Sequence, residues 1–105
     1  MNLAVTYALR VLRDAGYEVR TEVRVVPVRR WRFDIVVVEP PIGIEIQGAT
    51  WAGGRHTRGI GYANDCEKLN AAMCAGWRVL WYTTHQITSD PLCVVRDVKK
   101  IAEGV

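Results

Sequence analysis

Two acids and one amide interrupt segments of the chain that otherwise suit burial in a sheet. Asp34 lies in WRFDIVVVE, whose β-branched and aromatic residues predict a strand over 31–39. Glu45 and Gln47 alternate with isoleucines in IGIEIQ, which predicts a further strand over 42–47. A proline pair separates the two strands, so the segment predicts a β-hairpin that brings three oxygen-bearing side chains together.

The register of this hairpin decides which side chains share a face. A turn through residues 39–42 places Val38 opposite Gly43, Val36 opposite Glu45, and Asp34 opposite Gln47. Opposed residues share a face, as do residues two apart on one strand. We therefore expect the two acids and the amide on one face. The same count assigns four apolar residues to the other face: Phe33, Ile35, Ile44 and Ile46.

Two neighbouring carboxylates repel each other, so they share a proton or hold a cation. Oxygen ligands in small number suit Mg²⁺ or Mn²⁺, and such an ion can clamp a phosphate and acidify a bound water. Alternatively, Asp34 pairs with a nearby arginine and Glu45 is a solvated residue on an open face. The two acids in register, beside an arginine cluster and a glycine-rich segment, favour the metal site.

The elements that must position these residues follow from periodicity and turn signals. We predict helices over 2–15, 62–75 and from Ser89 or Asp90 to about residue 102, and strands over 18–27, 31–39, 42–47 and 77–83. The order αβββαβα predicts one α/β domain over residues 1–105, with a mixed sheet, helices on its faces and a right-handed parallel crossover.

Two of these elements carry detailed expectations about burial. The strand over 77–83 is apolar on both parities apart from Arg78, which is typical of a central strand covered on both faces. Its aromatic residues are therefore expected in the core: Trp77, Trp81 and Tyr82. The helix over 62–75 presents one apolar stripe, formed by Tyr62, Cys66, Leu69 and Met73.

Composition indicates an ordinary globular chain with an uneven charge. The 105 residues are 50% hydrophobic and 24% charged, which excludes disordered and collagen-like classes. The formal net charge is +3, but five arginines against one acid between residues 20 and 32 give a local +4. This cluster indicates either a polyanionic partner or a solvated face. An odd number of cysteines, three, within apolar patterns predicts a reduced, cytoplasmic protein.

Three segments together resemble the PD-(D/E)XK nuclease superfamily. They are Arg32-Phe33-Asp34, Ile44-Glu45-Ile46-Gln47-Gly48 and the strand beginning Gly76-Trp77-Arg78-Val79-Leu80. With the αβββαβ order, the resemblance spans nearly the whole chain. It is nearest to small phage-type Holliday-junction resolvases and very-short-patch repair endonucleases, and it implies a restriction-endonuclease-like core. It also implies that Asp34 and Glu45 bind Mg²⁺ or Mn²⁺, helped by the backbone carbonyl of Ile46.

The sequence departs from the superfamily pattern at Gln47, where a lysine is usual. An amide can orient a water or offer an oxygen, but it supplies no positive charge. Superfamily members sometimes draw this charge from a following helix, and Lys68 is the candidate; alternatively it forms a surface pair with Asp65. Resolvase relatives use a further acid from the N-terminal region. Glu22 fits best and Glu18 less well, although charge compensation among the neighbouring arginines explains Glu22 equally.

A glycine-rich segment follows the predicted metal site and is expected to contact the nucleic acid. Residues 48–61 hold five of the nine glycines, which predicts a loop. Its arginines can meet phosphates, Trp51 can stack on a base, and His56 can act as a general base. The alternative is a flexible loop with Trp51 in the core. The predicted nucleic-acid contacts are Arg29, Arg30, Arg32, Trp51, Arg55, His56 and Arg58.

These expectations combine into a Mg²⁺-dependent DNA endonuclease acting in repair or recombination. A chain of 105 residues has little room for a sequence-reading domain, so branched or Holliday-junction DNA is the expected substrate. Symmetric junction cleavage requires a homodimer. Four apolar residues of the last helix either form its interface or cover the sheet: Val94, Val95, Val98 and Ile101. The alternatives are an inactive nucleic-acid-binding module, a mismatch or nicking endonuclease, and a protein-interaction domain.

Overall fold

The protein is an α/β fold with one four-stranded mixed sheet flanked by helices. The computed structural model describes residues 2–24, 26, 31–48 and 54–104, and for residues 54–60 the backbone alone. The elements are α1 (Leu3–Asp14), β1 (Val19–Arg24), β2 (Arg32–Val37), β3 (Ile42–Gln47), α2 (Gly54–Cys74), β4 (Arg78–Thr83), α3 (Thr84–Ser89) and α4 (Leu92–Ala102). The strand order is β1-β2-β3-β4, with β4 parallel to β3 and the other pairs antiparallel.

Helices cover both faces of the sheet. The larger core lies where α1, α3 and α4 meet one face, and it includes Ile35 and Val37 of β2. Val36, between them, belongs to a smaller cluster with Ala72 of α2, so α2 covers the opposite face. The valines of α4 lie in the larger core, which excludes them from the suggested dimer interface: Val94, Val95 and Val98. Ile101 packs against the same core.

The β2–β3 hairpin differs from the expected register by two residues. Ile35 pairs with Ile44, and Val37 pairs with Ile42, leaving residues 38–41 as the turn. The shift buries Ile42 completely beside Val37 in the larger core, whereas the expected turn would have placed it in the connection. The shift is an even number of residues, so it does not by itself move a side chain to the other face of the sheet. Ile44 and Ile46 of β3 accordingly lie in the larger core with Ile35 of β2, as expected.

Phe33 is the exception to that alternation. It was expected on the face of Ile35, but it lies in the smaller cluster with Val36 and Ala72. Gly43 makes this possible, because a Cβ there would overlap the Phe33 ring. The ring also makes an edge contact with Trp77, with centroids 5.8 Å apart. Phe33 therefore belongs to the α2 side of the sheet, directly beneath the candidate site.

The expectation that residues 77–83 form a central strand is wrong. In the sheet that the described residues form, β4 is an edge strand. Tyr82 is buried and Trp77 packs against the smaller cluster, as expected of core residues. Trp81, however, is 45% exposed. Apolar residues at both odd and even positions of a strand do not show whether it is central. An edge strand that helices cover at only some positions can have the same pattern.

The helix before β4 starts earlier and faces the sheet differently than expected. It begins at Gly54, so residues 54–61 are helical and not loop. Extending an existing helix needs no new nucleus, and no proline interrupts this segment. The expected stripe is also wrong, since Tyr62 is 69% and Met73 50% exposed. Ala72 is fully buried against the sheet instead, and Lys68 lies one turn before it on the same side.

The short helix α3 was not expected from the sequence. Thr83 caps it through a pair of reciprocal hydrogen bonds. The backbone N–H of Gln86 donates to the Thr83 hydroxyl, and the backbone N–H of Thr83 donates to the side-chain oxygen of Gln86. Ile87 of this helix is fully buried in the larger core. Within the described ranges, none of the helices has both the length and the apolar character to cross a membrane.

Candidate functional site

Asp34 and Glu45 are neighbours across the β2–β3 hairpin. Ile35 pairs with Ile44, so the next residues towards the open end of the hairpin are Asp34 and Glu45. The expected partner of Asp34 was Gln47, two residues further along, and that assignment is wrong. This register places the two acids opposite each other, and the charge of Asp34 raises the pKa of the Glu45 carboxyl.

The Asp34 carboxylate also bonds to the backbone of the adjacent strand. Its Oδ2 accepts a hydrogen bond from the amide of Ile46, with a donor–acceptor distance of 2.8 Å. A residue in an antiparallel ladder directs its N–H and C=O to the same neighbouring strand. The Ile46 carbonyl therefore faces β2, the side on which Asp34 lies. This arrangement fixes one of the two carboxylate oxygens of Asp34 against β3.

Lys68 reaches the same point from α2. Its Nζ donates hydrogen bonds to Oε1 of Glu45 and, over 2.5 Å, to the carbonyl oxygen of Arg32. It also lies 5.3 Å from the centroid of the Phe33 ring. The side chains of Lys68 and Glu45 are only 15% and 14% exposed. The ammonium is thus held in a partly dry environment, where its charge acts strongly on its neighbours.

The electrostatics of the site centre on Glu45. Burial raises the pKa of the Glu45 carboxyl above its ordinary value, and the charges of Asp34 and Asp65 raise it further. The hydrogen bond and charge of Lys68 act in the opposite direction. When ionised, the three acids and the one lysine of this group leave two negative charges in excess. We call Asp34, Glu45, Asp65 and Lys68 the acidic cluster.

A divalent cation would neutralise that excess, and the donors suit a hard ion. Among the side chains that the structure describes, no three or more His, Cys, Asp or Glu residues converge as a complete metal centre. Mg²⁺ does not require such a cage, because it retains several waters and uses one or two carboxylates. Asp34, Glu45 and the Ile46 carbonyl therefore fit Mg²⁺ or Mn²⁺ and do not fit a structural zinc site.

Gln47 and Glu22 border the acidic cluster on its two sides. Gln47 is half-buried and pairs with Thr83 of β4. Its backbone carbonyl oxygen accepts a hydrogen bond from Thr84 Oγ1 at 3.1 Å. Glu22 is exposed and has a φ of 56°, a left-handed conformation that is uncommon for this residue type. Its neighbours on β1 pair with the two residues that flank Asp34. Glu22 is therefore the β1 residue beside Asp34.

The predicted nucleic-acid contacts are only partly within the described residues. Arg32 is exposed at the start of β2 and pairs with exposed Arg24 of β1, which places two guanidinium groups at the end of the sheet that carries Asp34. The other predicted contacts lie outside the described side chains. Arg29, Arg30 and Trp51 fall outside the described residues, and Arg55, His56 and Arg58 lie in α2, where only the backbone is described.

Two residues of the site were not assigned to it from the sequence. Asp65 was considered only as a surface partner of Lys68, although its position one helical turn earlier places it on the same side of α2. Trp81 was assigned to the core, whereas it pairs with Glu45 across β3 and β4 and is exposed. Asp65 could have been found from the sequence, because it lies three residues before Lys68 on the same helix. The exposure of Trp81 could not, because it depends on the order of the strands in the sheet, which the local sequence does not contain.

Comparison of the chain with protein-family models, with curated proteins and with solved structures finds no match in any of the three. The interpretation of the site consequently depends on its own geometry and charge.

Proposed function

We propose that the protein is a Mg²⁺- or Mn²⁺-dependent endodeoxyribonuclease with a restriction-endonuclease-like core of the PD-(D/E)XK type. One observation carries the proposal. Lys68, on the helix that follows the hairpin, donates to Glu45 beside Asp34. A nuclease of this type needs an ammonium group at the metal site, and Gln47 cannot supply one. Lys68 supplies it from α2, next to the carboxylate of Glu45.

Each residue of the site has a separate task in this proposal. Asp34, Glu45 and the Ile46 carbonyl would hold the metal ion. The ion, when bound, supplies Lewis acidity towards the scissile phosphate and lowers the pKa of a water. Lys68 stabilises the negative charge that develops on the phosphate as water attacks in line and the 3′ oxygen departs. A 5′ phosphate remains on the product.

Gln47 and Glu22 take supporting roles. Gln47 lies two residues beyond Glu45 on β3, so its amide is in the region where an attacking water would be oriented. Glu22, the β1 residue beside Asp34, supplies a further acid for holding the ion or its waters. These roles involve no positive charge, which Lys68 alone supplies within the acidic cluster.

The charges around the site favour a polyanionic substrate once the ion is bound. An acidic cluster by itself repels DNA, so a border of cations is needed for binding. Arg24 and Arg32 supply two of them at the neighbouring end of the sheet. The remaining proposed phosphate contacts are Arg29, Arg30, Arg55, Arg58 and His56. Trp51 is the proposed base contact.

The chain length limits what the enzyme can recognise. One sheet with its covering helices offers a small surface, so we propose recognition of DNA shape, with branched or Holliday-junction DNA as the substrate. A four-way junction presents two equivalent strands for cleavage, and a homodimer would supply the two sites. We place this activity in DNA repair or recombination in the cytoplasm.

A substrate panel tests the proposal directly. Junction, flap, mismatched, single-stranded and linear duplex DNA are incubated with the protein in Mg²⁺, Mn²⁺ or EDTA. We expect cleavage that requires the metal and is fastest on branched DNA. Asp34→Asn should abolish cleavage while binding survives or improves, because one repulsive charge is removed. Lys68→Ala should slow cleavage about 10²-fold or more if the lysine stabilises transition-state charge.

A matched control separates the catalytic charge from charge in general. Lys100→Ala makes the same substitution at an exposed residue of α4, on the opposite face of the sheet, and should cleave as the wild type does. Unchanged turnover in Lys68→Ala would remove the lysine from the mechanism. Metal-independent binding with no cleavage on any substrate would instead identify an inactive nucleic-acid-binding module.

A further inference from the structure

Trp81 is the large aromatic residue that the sheet leaves beside the acidic cluster. It lies on β4, where its Cα pairs with that of Glu45 on β3. Residues paired in adjacent strands project to the same face, and their strands lie about 4.8 Å apart. The indole is therefore a direct neighbour of the Glu45 carboxylate, yet 45% of the residue remains exposed.

The alternation along β4 confirms the face on which Trp81 lies. Val79, two residues earlier, packs against the smaller cluster beneath α2. Leu80 and Tyr82 pack against the larger core on the other side. Trp81 thus projects to the side of α2 and Lys68, but further along the strand than the positions that α2 covers.

We propose that Trp81 is a stacking platform for an unpaired nucleobase of the DNA substrate, beside the phosphate held at the acidic cluster. This inference rests on the proposed nuclease function and narrows its substrate class. A base within an intact duplex has both faces covered by its neighbours, so an indole can stack on it only where the base is unpaired or displaced. The substrate class is therefore DNA with single-stranded or splayed nucleotides, such as a flap or branch point.

The position on an edge strand supports this occupant. In the sheet that the described residues form, no strand lies beyond β4, so a flat base can approach the indole from the side. Stacking on aromatic residues tolerates any base, because every base has a π face. The platform therefore suits recognition of DNA shape, and it requires no reading of sequence.

Binding assays with Ca²⁺ in place of Mg²⁺ test the platform independently of cleavage turnover. The probes are a flap DNA with normal single-stranded nucleotides and the same flap with abasic nucleotides. Trp81→Ala should weaken binding to the normal flap about tenfold or more, and Trp81→Phe should lose much less. On the abasic flap the wild type and Trp81→Ala should bind alike, because no base remains to stack.

A second exposed apolar residue provides the control for Trp81→Ala. Leu92→Ala truncates another exposed apolar residue, 55% exposed on α4, and should bind both flaps as the wild type does; thermal melting checks that each variant is folded. Equal affinity of Trp81→Ala and wild type for the normal flap, or an equal loss on both flaps, overturns the stacking inference alone. Failure of the wild type to bind any DNA overturns the proposed function as well.

Discussion

The pKa of the Glu45 carboxyl is subject to opposing effects from charged groups on two elements, β2 and α2. Burial and two neighbouring acids raise the pKa of its carboxyl, while Lys68 lowers it through a hydrogen bond and its charge. A raised pKa in the folded state means that this carboxyl contributes most to stability below its ordinary value of 4.5. That contribution is lost as the pH rises through the raised pKa. The residue therefore carries an ionisation cost that a bound cation would offset.

Titration of Glu45 in the metal-free protein tests this balance. Lys68→Met removes the hydrogen bond and the charge but keeps an unbranched side chain, so the pKa of Glu45 should rise further. Asp34→Asn removes a repulsive charge, so the pKa should fall. Carbon-detected NMR of the side-chain carboxyls measures both. A pKa of Glu45 that is the same in all three proteins would show that the cluster is not electrostatically coupled.

The sequence was informative about individual residues where the period of a strand determines the outcome. The alternation of apolar residues and the proline turn were enough to assign Asp34, Glu45 and Gln47 to two neighbouring strands. Contacts between elements could not be derived in the same way. Lys68 could be suggested, but its bond to Glu45 depends on how α2 crosses the sheet, and the exposure of Trp81 depends on the strand order.

At the level of elements, the site depends on a close approach between β2 and β3. Phe33 packs over Gly43 and lies beneath Lys68. The ring thus occupies the space that a larger residue at position 43 would fill, and it provides the surface on which the lysine side chain lies. The element order was predictable from turn and periodicity signals. The start of α2 was not, because glycines lower helix propensity without preventing the extension of an existing helix.

Gly43→Ala tests this packing. The added methyl group must displace the Phe33 ring, and overpacking of this kind costs about 1–3 kcal/mol of unfolding free energy. Urea denaturation measures the loss. Gly48→Ala is the matched control, since a Cβ there meets nothing within 4 Å. Adding Phe33→Leu to Gly43→Ala should recover part of the loss, and no recovery would mean that the ring is not the obstacle.

For the molecule as a whole, the distribution of charge over the surface is more informative about binding partners than the net charge. The net charge is only +3, but the acidic cluster lies next to paired arginines at one end of the sheet. Under the proposed function, such a surface would bind a cation first and a polyanion second.

The salt dependence of DNA binding tests the role of the arginines in α2. Each phosphate contact releases counterions, so the logarithm of affinity falls more steeply with the logarithm of salt concentration as contacts increase. Arg55→Ala with Arg58→Ala should weaken binding and flatten this slope. Arg10→Ala with Arg13→Ala repeats the spacing on exposed residues of α1, on the other face, and should leave the slope unchanged. Identical slopes in all proteins would remove Arg55 and Arg58 from the interface.

Binding of Mn²⁺ to the protein, measured by calorimetry in the absence of DNA, tests the metal site most directly. The wild type should bind the ion, and Asp34→Asn and Glu45→Gln should each weaken binding at least about tenfold. Asp14→Asn, at an exposed residue of α1, should bind as the wild type does. Equal Mn²⁺ affinity in the wild type, Asp34→Asn and Glu45→Gln, or no binding by the wild type, would contradict the existence of this site.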